Sequence, residues 1–95
     1  MVSTKPVVLR ALAAQDVEQA LAWYEQMAGD DARQAFNSAL ESAVRHLADH
    51  PASGAPRYAQ ALRIPALRLW TLSGVPHGLF YVGLHESVDV WCVLH

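Results

Sequence analysis

Residues 67–94 read LRLWTLSGVPHGLFYVGLHESVDVWCVL, and their pattern fixes the class of architecture. Apolar side chains recur at about every second position, the period of a half-buried strand, in three runs: residues 67–72, 78–84 and 88–94. Turn-forming residues separate the runs at 73–76 and 85–87. The stretch therefore predicts a three-stranded antiparallel meander with one apolar face that needs a cover.

Two amphipathic helices are predicted before the meander. Residues 13–28 repeat apolar side chains at helical spacing, at Val17, Leu21, Tyr24 and Ala28, and Gly29 is a typical helix stop. Asp30 and Asp31 suit the positive N-terminal end of a second helix, which Pro51 ends. The apolar positions of that helix are Ala32, Phe36, Leu40, Ala43 and Leu47. The two helices are expected to form an antiparallel hairpin.

A first strand and a loop complete the predicted fold. Arg10 interrupts the apolar run of residues 7–9 too early for a secretory signal, so we interpret this run as a strand. Residues 50–60, HPASGAPRYAQ, have turn-forming residues and no periodicity, which indicates a loop. If the helical hairpin covers the meander, the result is an α+β fold of order β-α-α-β-β-β, in a single domain of residues 1–95.

Composition and charge exclude several classes of protein. The net charge is −2 and the pI is about 6.2, so no overall positive field attracts nucleic acid or an anionic membrane. No run reaches the roughly 18 apolar residues of a membrane span, and we expect a cytoplasmic protein. The single cysteine, Cys92, fits a reducing compartment and a role as a small buried hydrophobe. Residues 51–85 carry Arg57, Arg63 and Arg68 but no acid, which predicts a local cationic patch for an anionic partner.

No motif specific to one chemistry occurs in the sequence, and no cofactor or metal is predicted. His46 and His50 lie one helical turn apart, a geometry that is able to hold a metal ion. No cysteine lies close by in sequence to complete such a site, so a structural role at the helix C-terminus is favoured.

Three further histidines, His77, His85 and His95, fall at predicted strand ends and turns. If they converge with Arg68 at one sheet edge, the cluster has the base, acid and cation that RNA cleavage needs. The more common alternative is that turn histidines are simply exposed. Trp23 and Met27 flank the apolar stripe of the first helix, where they either pack at the edge of the core or contact a partner.

Several local patterns then follow one another in an order that resembles one family. They are Asp16-Val17 ahead of Trp23-Tyr24, the loop His50-Pro51-Ala52-Ser53-Gly54-Ala55-Pro56-Arg57, Leu62-Arg63, Arg68-x-Trp70, Gly74-Val75-Pro76-His77 with Phe80-Tyr81, and Val93-Leu94-His95. Together they resemble the ParE/RelE superfamily of bacterial toxin-antitoxin toxins, over nearly the whole chain. The resemblance implies the RelE/ParE-like fold, with a helical hairpin packed on an antiparallel sheet.

The resemblance also marks departures from the family pattern. Val-Leu-His is commonly followed in the family by a short polar tail with an Arg-Asp pair, so we expect this sequence to lack that tail. Cys92 stands where many relatives have arginine, and Val75 and His77 replace the usual aromatic residues of the turn. Each departure removes a residue type that is able to touch a target.

The superfamily implies two activities on one fold. RelE-like members cut mRNA in the ribosome and are strongly basic, whereas this chain has one lysine, Lys5, and a negative net charge. ParE-like members are associated with poisoning DNA gyrase, a protein target that needs no positive field. We therefore expect the toxin of a type II toxin-antitoxin module that inhibits gyrase and is not an enzyme.

Two alternatives remain open. In a RelE-type endoribonuclease, His95 beside its own carboxylate would act as the general acid, with Arg63 or Arg68 neutralising the phosphate. In a degenerate protein, the chain would bind its antitoxin without toxicity.

The resemblance further implies a cognate antitoxin, ParD-like or similar, in a hetero-oligomer with the toxin. An amphipathic helix would suit the hairpin surface, an added strand the exposed sheet edge, and an acidic segment the arginines. No direct DNA binding and no membrane contact are expected. The residues expected to bind antitoxin or target are Trp23, Met27, Arg57, Arg63, Arg68, Trp70, Pro76 and His77.

Overall fold

The computed structural model describes residues 4–95, which form an α+β arrangement in the predicted element order. The elements are β1 (Val7–Leu9), α1 (Ala11–Ala28), α2 (Asp30–Asp49), β2 (Leu67–Thr71), β3 (Gly78–Gly83) and β4 (Val88–Leu94). Neither helix of this part of the chain has the length and hydrophobicity that a bilayer crossing needs.

The four strands form one sheet in the order β1-β4-β3-β2. β2 pairs antiparallel with β3, and β3 with β4, so the predicted meander is confirmed. β1 lies parallel to β4, with Val7 opposite Val88 and Leu9 opposite Val90. The helical hairpin is thus the connection that follows the edge strand β1, and it covers one face of the sheet.

The pairing of β3 with β4 contains an irregularity that the alternating sequence pattern does not predict. Phe80 lies opposite Cys92, but the next residue, Tyr81, lies opposite Val90. Trp91 therefore has no partner across the strand pair, which is the arrangement of a β-bulge. The extra residue changes which side of the sheet the side chains face, so Val90 and Val93 are both buried.

A single residue, Gly29, joins the two helices. Its φ of +89° lies in the region that favours glycine, and its N–H donates to the Glu25 carbonyl oxygen at 3.2 Å. The apolar face of α2 is buried as predicted, at Phe36, Leu40, Ala43 and Leu47. On α1, Ala13 is the buried residue, Val17, Leu21 and Tyr24 are half-buried, and the predicted core position Ala28 is exposed in the last turn.

The loop between α2 and β2 is longer than predicted and extends over residues 50–66. Ala55 forms an antiparallel bridge to Leu69, and each residue donates its backbone N–H to the carbonyl oxygen of the other at 2.9 Å. This contact occupies part of the outer edge of β2. At this position the edge is therefore not free for an added strand, because the preceding loop already pairs with it.

Candidate functional site

A cluster of aromatic rings and imidazoles lies where β3 begins and β4 ends. The ring of His77 meets that of His95 edge-on, with 5.0 Å between centroids, and that of Phe36 at 5.1 Å. The Tyr24 hydroxyl shares a hydrogen bond with Nδ1 of His77 at 3.3 Å. His77 lines two open hollows, one of about 420 Å³ with Pro76 and one of about 430 Å³ towards α1.

Burial makes His77 a weaker base than an exposed histidine. Partial removal from water lowers the pKa of His77, and the positive charge on nearby His95 lowers it further. The ring of His77 is therefore held towards its neutral form, which accepts a proton or a hydrogen bond. The arrangement is able to bind polar groups in either hollow or to act as a base.

Of the three histidines that could have converged with Arg68, only His77 and His95 lie together. His77 directly precedes β3, whereas His85 lies in the turn after it, so the two are at opposite ends of this strand. Arg68 pairs with Tyr81, towards the His85 end of β3. Leu94, the residue before His95, pairs with Gly78 at the His77 end. The antiparallel register of the meander separates these residues, because His77 and His85 flank opposite ends of one strand. Arg68 and His95 of the endoribonuclease alternative thus do not share a site.

The Arg68 side chain instead holds the loop that precedes β2. Its Nη1 donates a hydrogen bond of 2.7 Å to the carbonyl oxygen of Gly54, in a partly buried position. Arg57 and Arg63 are exposed, and the Arg57 guanidinium lies 5.2 Å from the ring centroid of Tyr58. The predicted cationic patch therefore has two outward-facing arginines, with the third engaged by the loop.

Tyr81 anchors the same loop from inside the core, and sequence reasoning missed this role. The side chain is fully buried, and its hydroxyl accepts the Gly54 N–H at 2.9 Å and donates to the Pro51 carbonyl oxygen at 2.7 Å. A Cβ on Gly54 would lie 2.5 Å from the Tyr81 hydroxyl oxygen, so only glycine fits there. The Gly54 of the loop pattern and the Tyr81 of the strand pattern were both visible in the sequence, but not their contact.

Trp70 and His46 form a second anchor for the loop. Their rings stack with centroids 4.5 Å apart and an angle of 17° between planes, and His46 Nε2 shares a hydrogen bond of 3.0 Å with the Ser53 hydroxyl. The ring of His50 lies 5.1 Å from that of His46. Across residues 4–95, no group of three or more His, Cys, Asp and Glu side chains is arranged to hold a metal ion.

Cys92 lies in β4, half-buried and without a disulfide. It lines a small apolar hollow of about 150 Å³ with Leu62, Phe80 and Trp91. Burial raises the pKa of the thiol, and the Asp16 carboxylate raises it further. The thiol is thus kept protonated, in keeping with an apolar role.

Comparison with known proteins assigns this arrangement to a family. The sequence model of the family described as "ParE toxin of type II toxin-antitoxin system, parDE" matches residues 7–95. The chain belongs to the ParE toxin family. A solved structure described as the "Chromosomal ParDE TA system from P. aeruginosa" superposes with a TM-score of 0.79 at 15% identity, over 98% of this chain and 97% of that chain. No curated protein sequence matched this chain.

Membership makes this ParE-family chain a toxin of a type II toxin-antitoxin system and implies an antitoxin partner. The similarity to the P. aeruginosa structure, at 15% identity, shows a shared fold. Together the two findings confirm the fold and the family that the sequence patterns predicted.

The toxin exposes two of the residues that the sequence placed beside the core. Trp23 is 51% exposed and Met27 is 68% exposed. The Trp23 ring rests edge-on against Tyr24, with centroids 5.0 Å apart. Exposed aromatic and methionine side chains of this kind are enriched in protein interfaces.

Proposed function

We propose that this toxin inhibits DNA gyrase and that a cognate antitoxin neutralises it in a hetero-oligomer. The observation that carries the proposal is the charge of the molecule. It has seven Lys and Arg against nine Asp and Glu, and the Arg68 guanidinium is engaged with the Gly54 carbonyl oxygen. Affinity for RNA depends on many Lys and Arg contacts to phosphates, whereas a protein target requires no such excess.

The proposed contact surface comprises exposed residues on two sides of the His77 cluster. Pro76 and His77 border the hollow of about 420 Å³, and Trp23 borders the hollow of about 430 Å³. Arg57 and Arg63 add positive charge from the neighbouring loop. Met27 extends the surface along α1. The effect of Arg68 and Trp70 on binding, by contrast, is indirect, because they hold the loop of residues 50–54 in place.

A second candidate function is favoured by one observation, the contact between His77 and His95. Two imidazoles with 5.0 Å between centroids have the acid and base chemistry of RNA cleavage. The nearest part of the sheet supplies no arginine, since Arg68 lies towards the far end of β3. The arginines left to stabilise a charged phosphorane are Arg57 and Arg63 of the neighbouring loop, and both are exposed.

Induction in cells distinguishes these functions. The toxin is expressed from a tight promoter, alone and with its cognate antitoxin, and a DNA-damage reporter and the rate of protein synthesis are followed. We expect growth arrest with a DNA-damage response that precedes any fall in translation, and relief of both by the antitoxin. Growth without arrest at a verified protein level would contradict toxicity and favour the degenerate alternative.

A matched pair of variants separates gyrase inhibition from RNA cleavage. His77→Gln removes the proposed base, and His85→Gln makes the same change in the distant turn. An endoribonuclease would stop translation immediately on induction; the His77→Gln variant would no longer do so, and the His85→Gln variant still would. That result would contradict the gyrase proposal.

A further inference from the structure

A hollow of about 250 Å³ lies at the end of β3 that is farther from His77. Its charged lining residues are Lys5 and Arg68. The other lining residues carry no polar side chain, and they are Pro51, Ala52, Ala66 and Gly83. Asp49, at the end of α2, is not among them, and its Oδ1 accepts the Thr4 hydroxyl at 2.6 Å. Two positive charges therefore share one concave surface that no acid of residues 4–95 lines.

Lys5 and Arg68 are both partly buried, and neither has an acidic partner within residues 4–95. The ion pairs in this part of the chain join Arg10 to Asp89 and Arg33 to Glu25. The remaining arginines without an acidic partner are exposed, and they are Arg45, Arg57 and Arg63. A charge that is partly removed from water is costly unless a countercharge compensates it. The two cations of the hollow thus attract an anion from outside the molecule.

Backbone carbonyl groups hold both cations in place. Lys5 Nζ donates to the carbonyl oxygen of Leu84 at 2.7 Å, and Arg68 Nη1 donates to that of Gly54 at 2.7 Å. The backbone of Lys5 is also fixed, because its N–H donates to the Ala48 carbonyl oxygen at 2.9 Å. These bonds leave further N–H donors of the ammonium and the guanidinium available to a ligand. Side chains that are already ordered lose little conformational entropy when a ligand binds.

We propose that this hollow binds the phosphate group of a small molecule. A guanidinium presents parallel N–H donors that match the oxygens of an oxyanion, and an ammonium adds a compact charge. A phosphate monoester carries a charge of about −1.5 to −2 at neutral pH, which balances the two cations, whereas a carboxylate leaves one of them uncompensated. The site lies apart from the His77 cluster and does not depend on which target the toxin inhibits.

The bound phosphate would tie the start of the chain to the loop of residues 50–54. Lys5 precedes β1, and Arg68 lies in β2 and holds Gly54 of that loop. Pro51 and Ala52 of the same loop line the hollow. A phosphate that bridges the two cations therefore stabilises the loop and the folded toxin, and the stabilisation rises with the phosphate concentration.

Thermal unfolding in increasing sodium phosphate tests the site. Circular dichroism follows the unfolding at neutral pH, and sodium chloride keeps the ionic strength constant. With phosphate at about ten times its dissociation constant, the thermal midpoint of the wild type should rise by about 5–10 °C. The rise should approach a logarithmic dependence on phosphate concentration, because a single site fills, whereas a general salt effect grows in proportion to concentration.

Ala66→Asp and Ala66→Asn form a matched pair that differs in charge alone. Ala66 lines the hollow with a φ of +68°, a left-handed conformation that Asp and Asn both tolerate, so both variants should fold. Ala66→Asp places a carboxylate beside the two cations and should abolish the phosphate-dependent rise. Ala66→Asn should keep a dissociation constant within about twofold of the wild-type value.

Lys5→Gln and Arg45→Gln test the cations themselves. Lys5→Gln removes one charge from the hollow, whereas Arg45→Gln removes an exposed charge from α2. We expect Lys5→Gln to weaken phosphate binding by about tenfold, and Arg45→Gln by less than about twofold.

Titration with adenosine monophosphate distinguishes the source of the phosphate group. A dissociation constant at least about tenfold below that of inorganic phosphate would assign the site to a phosphorylated molecule, and equal constants would assign it to phosphate alone. If the midpoint rises equally in Ala66→Asp and Ala66→Asn, phosphate acts only as a stabilising salt and the assignment is wrong. It is also wrong if Lys5→Gln binds phosphate as tightly as Arg45→Gln does. Neither result bears on gyrase inhibition, which is measured separately.

Discussion

Replacement of Tyr81 by phenylalanine removes one oxygen from the core and tests how the loop of residues 50–54 is held. The Tyr81 hydroxyl has two partners, the N–H of Gly54 at 2.9 Å and the carbonyl oxygen of Pro51 at 2.7 Å. Both lose their hydrogen bond in the variant, and Gly54 is buried, where water does not replace it. An unsatisfied buried group costs about 1–3 kcal/mol, and the Pro51 carbonyl oxygen is only partly buried, so the free energy of unfolding should fall by about 2–3 kcal/mol in total.

This loss is large enough to measure in two ways. In a chain of this size, each kcal/mol lowers the thermal midpoint by about 4–8 °C, so Tyr81→Phe should melt roughly 10–20 °C lower. Urea unfolding followed by circular dichroism gives the free energy directly. Tyr58→Phe is the control, since Tyr58 is exposed and its hydroxyl makes no hydrogen bond within residues 4–95. If Tyr81→Phe lost no more than about 0.5 kcal/mol, as the control should, the hydroxyl would not anchor the loop.

Three further variants test neighbouring parts of the account by urea or thermal unfolding. Gly54→Ala places a Cβ 2.5 Å from the Tyr81 hydroxyl and should lower the free energy of unfolding by about 1–3 kcal/mol. Gly83→Ala, whose Cβ meets nothing closer than 3.6 Å, should be nearly neutral. Equal losses of stability in the two variants would contradict the clash. Since the pKa of His77 is lowered on folding, the unfolded chain binds more protons, so stability should fall as the pH drops below about 6.5. His77→Gln should flatten this dependence of stability on pH, and His85→Gln should not. If the stability of the wild type and of His77→Gln changed with pH in parallel, the dependence would not arise from His77. Trp70→Phe should lower the thermal midpoint because the stacking of its indole on the His46 imidazole is weakened; an unchanged midpoint with lost target inhibition would make Trp70 a target contact.

Local periodicity was sufficient to predict the elements of this fold. The alternation in residues 67–94 and the helical spacing from Phe36 to Leu47 each reflect burial of one face, which depends on neighbours in sequence. The parallel pairing of β1 with β4 joins residues about eighty positions apart, such as Val7 and Val88, and no local pattern encodes it. The bulge opposite Tyr81 is invisible for the same reason, since it depends on a partner strand.

The candidate site was predicted less completely than the fold. The sequence indicated that His77 lies at a strand end, and the structure places it beside His95. Spacing gave no means of seeing that Arg68 turns towards Gly54, because that contact depends on how the loop packs against β2. Exposure of Trp23 was likewise undetermined, because a residue at the flank of an amphipathic stripe is buried or exposed according to what lies beside the helix.

The most direct test of the gyrase proposal is the supercoiling activity of purified DNA gyrase, titrated with the folded, antitoxin-free toxin. We predict that supercoiling is inhibited and that cleaved DNA accumulates, and that adding the antitoxin restores the activity. Tyr81→Phe refolded at low temperature, as a variant with a weakened loop, should inhibit less than the wild type. Full gyrase activity in the presence of excess folded toxin would contradict the account, whichever residues contact the antitoxin.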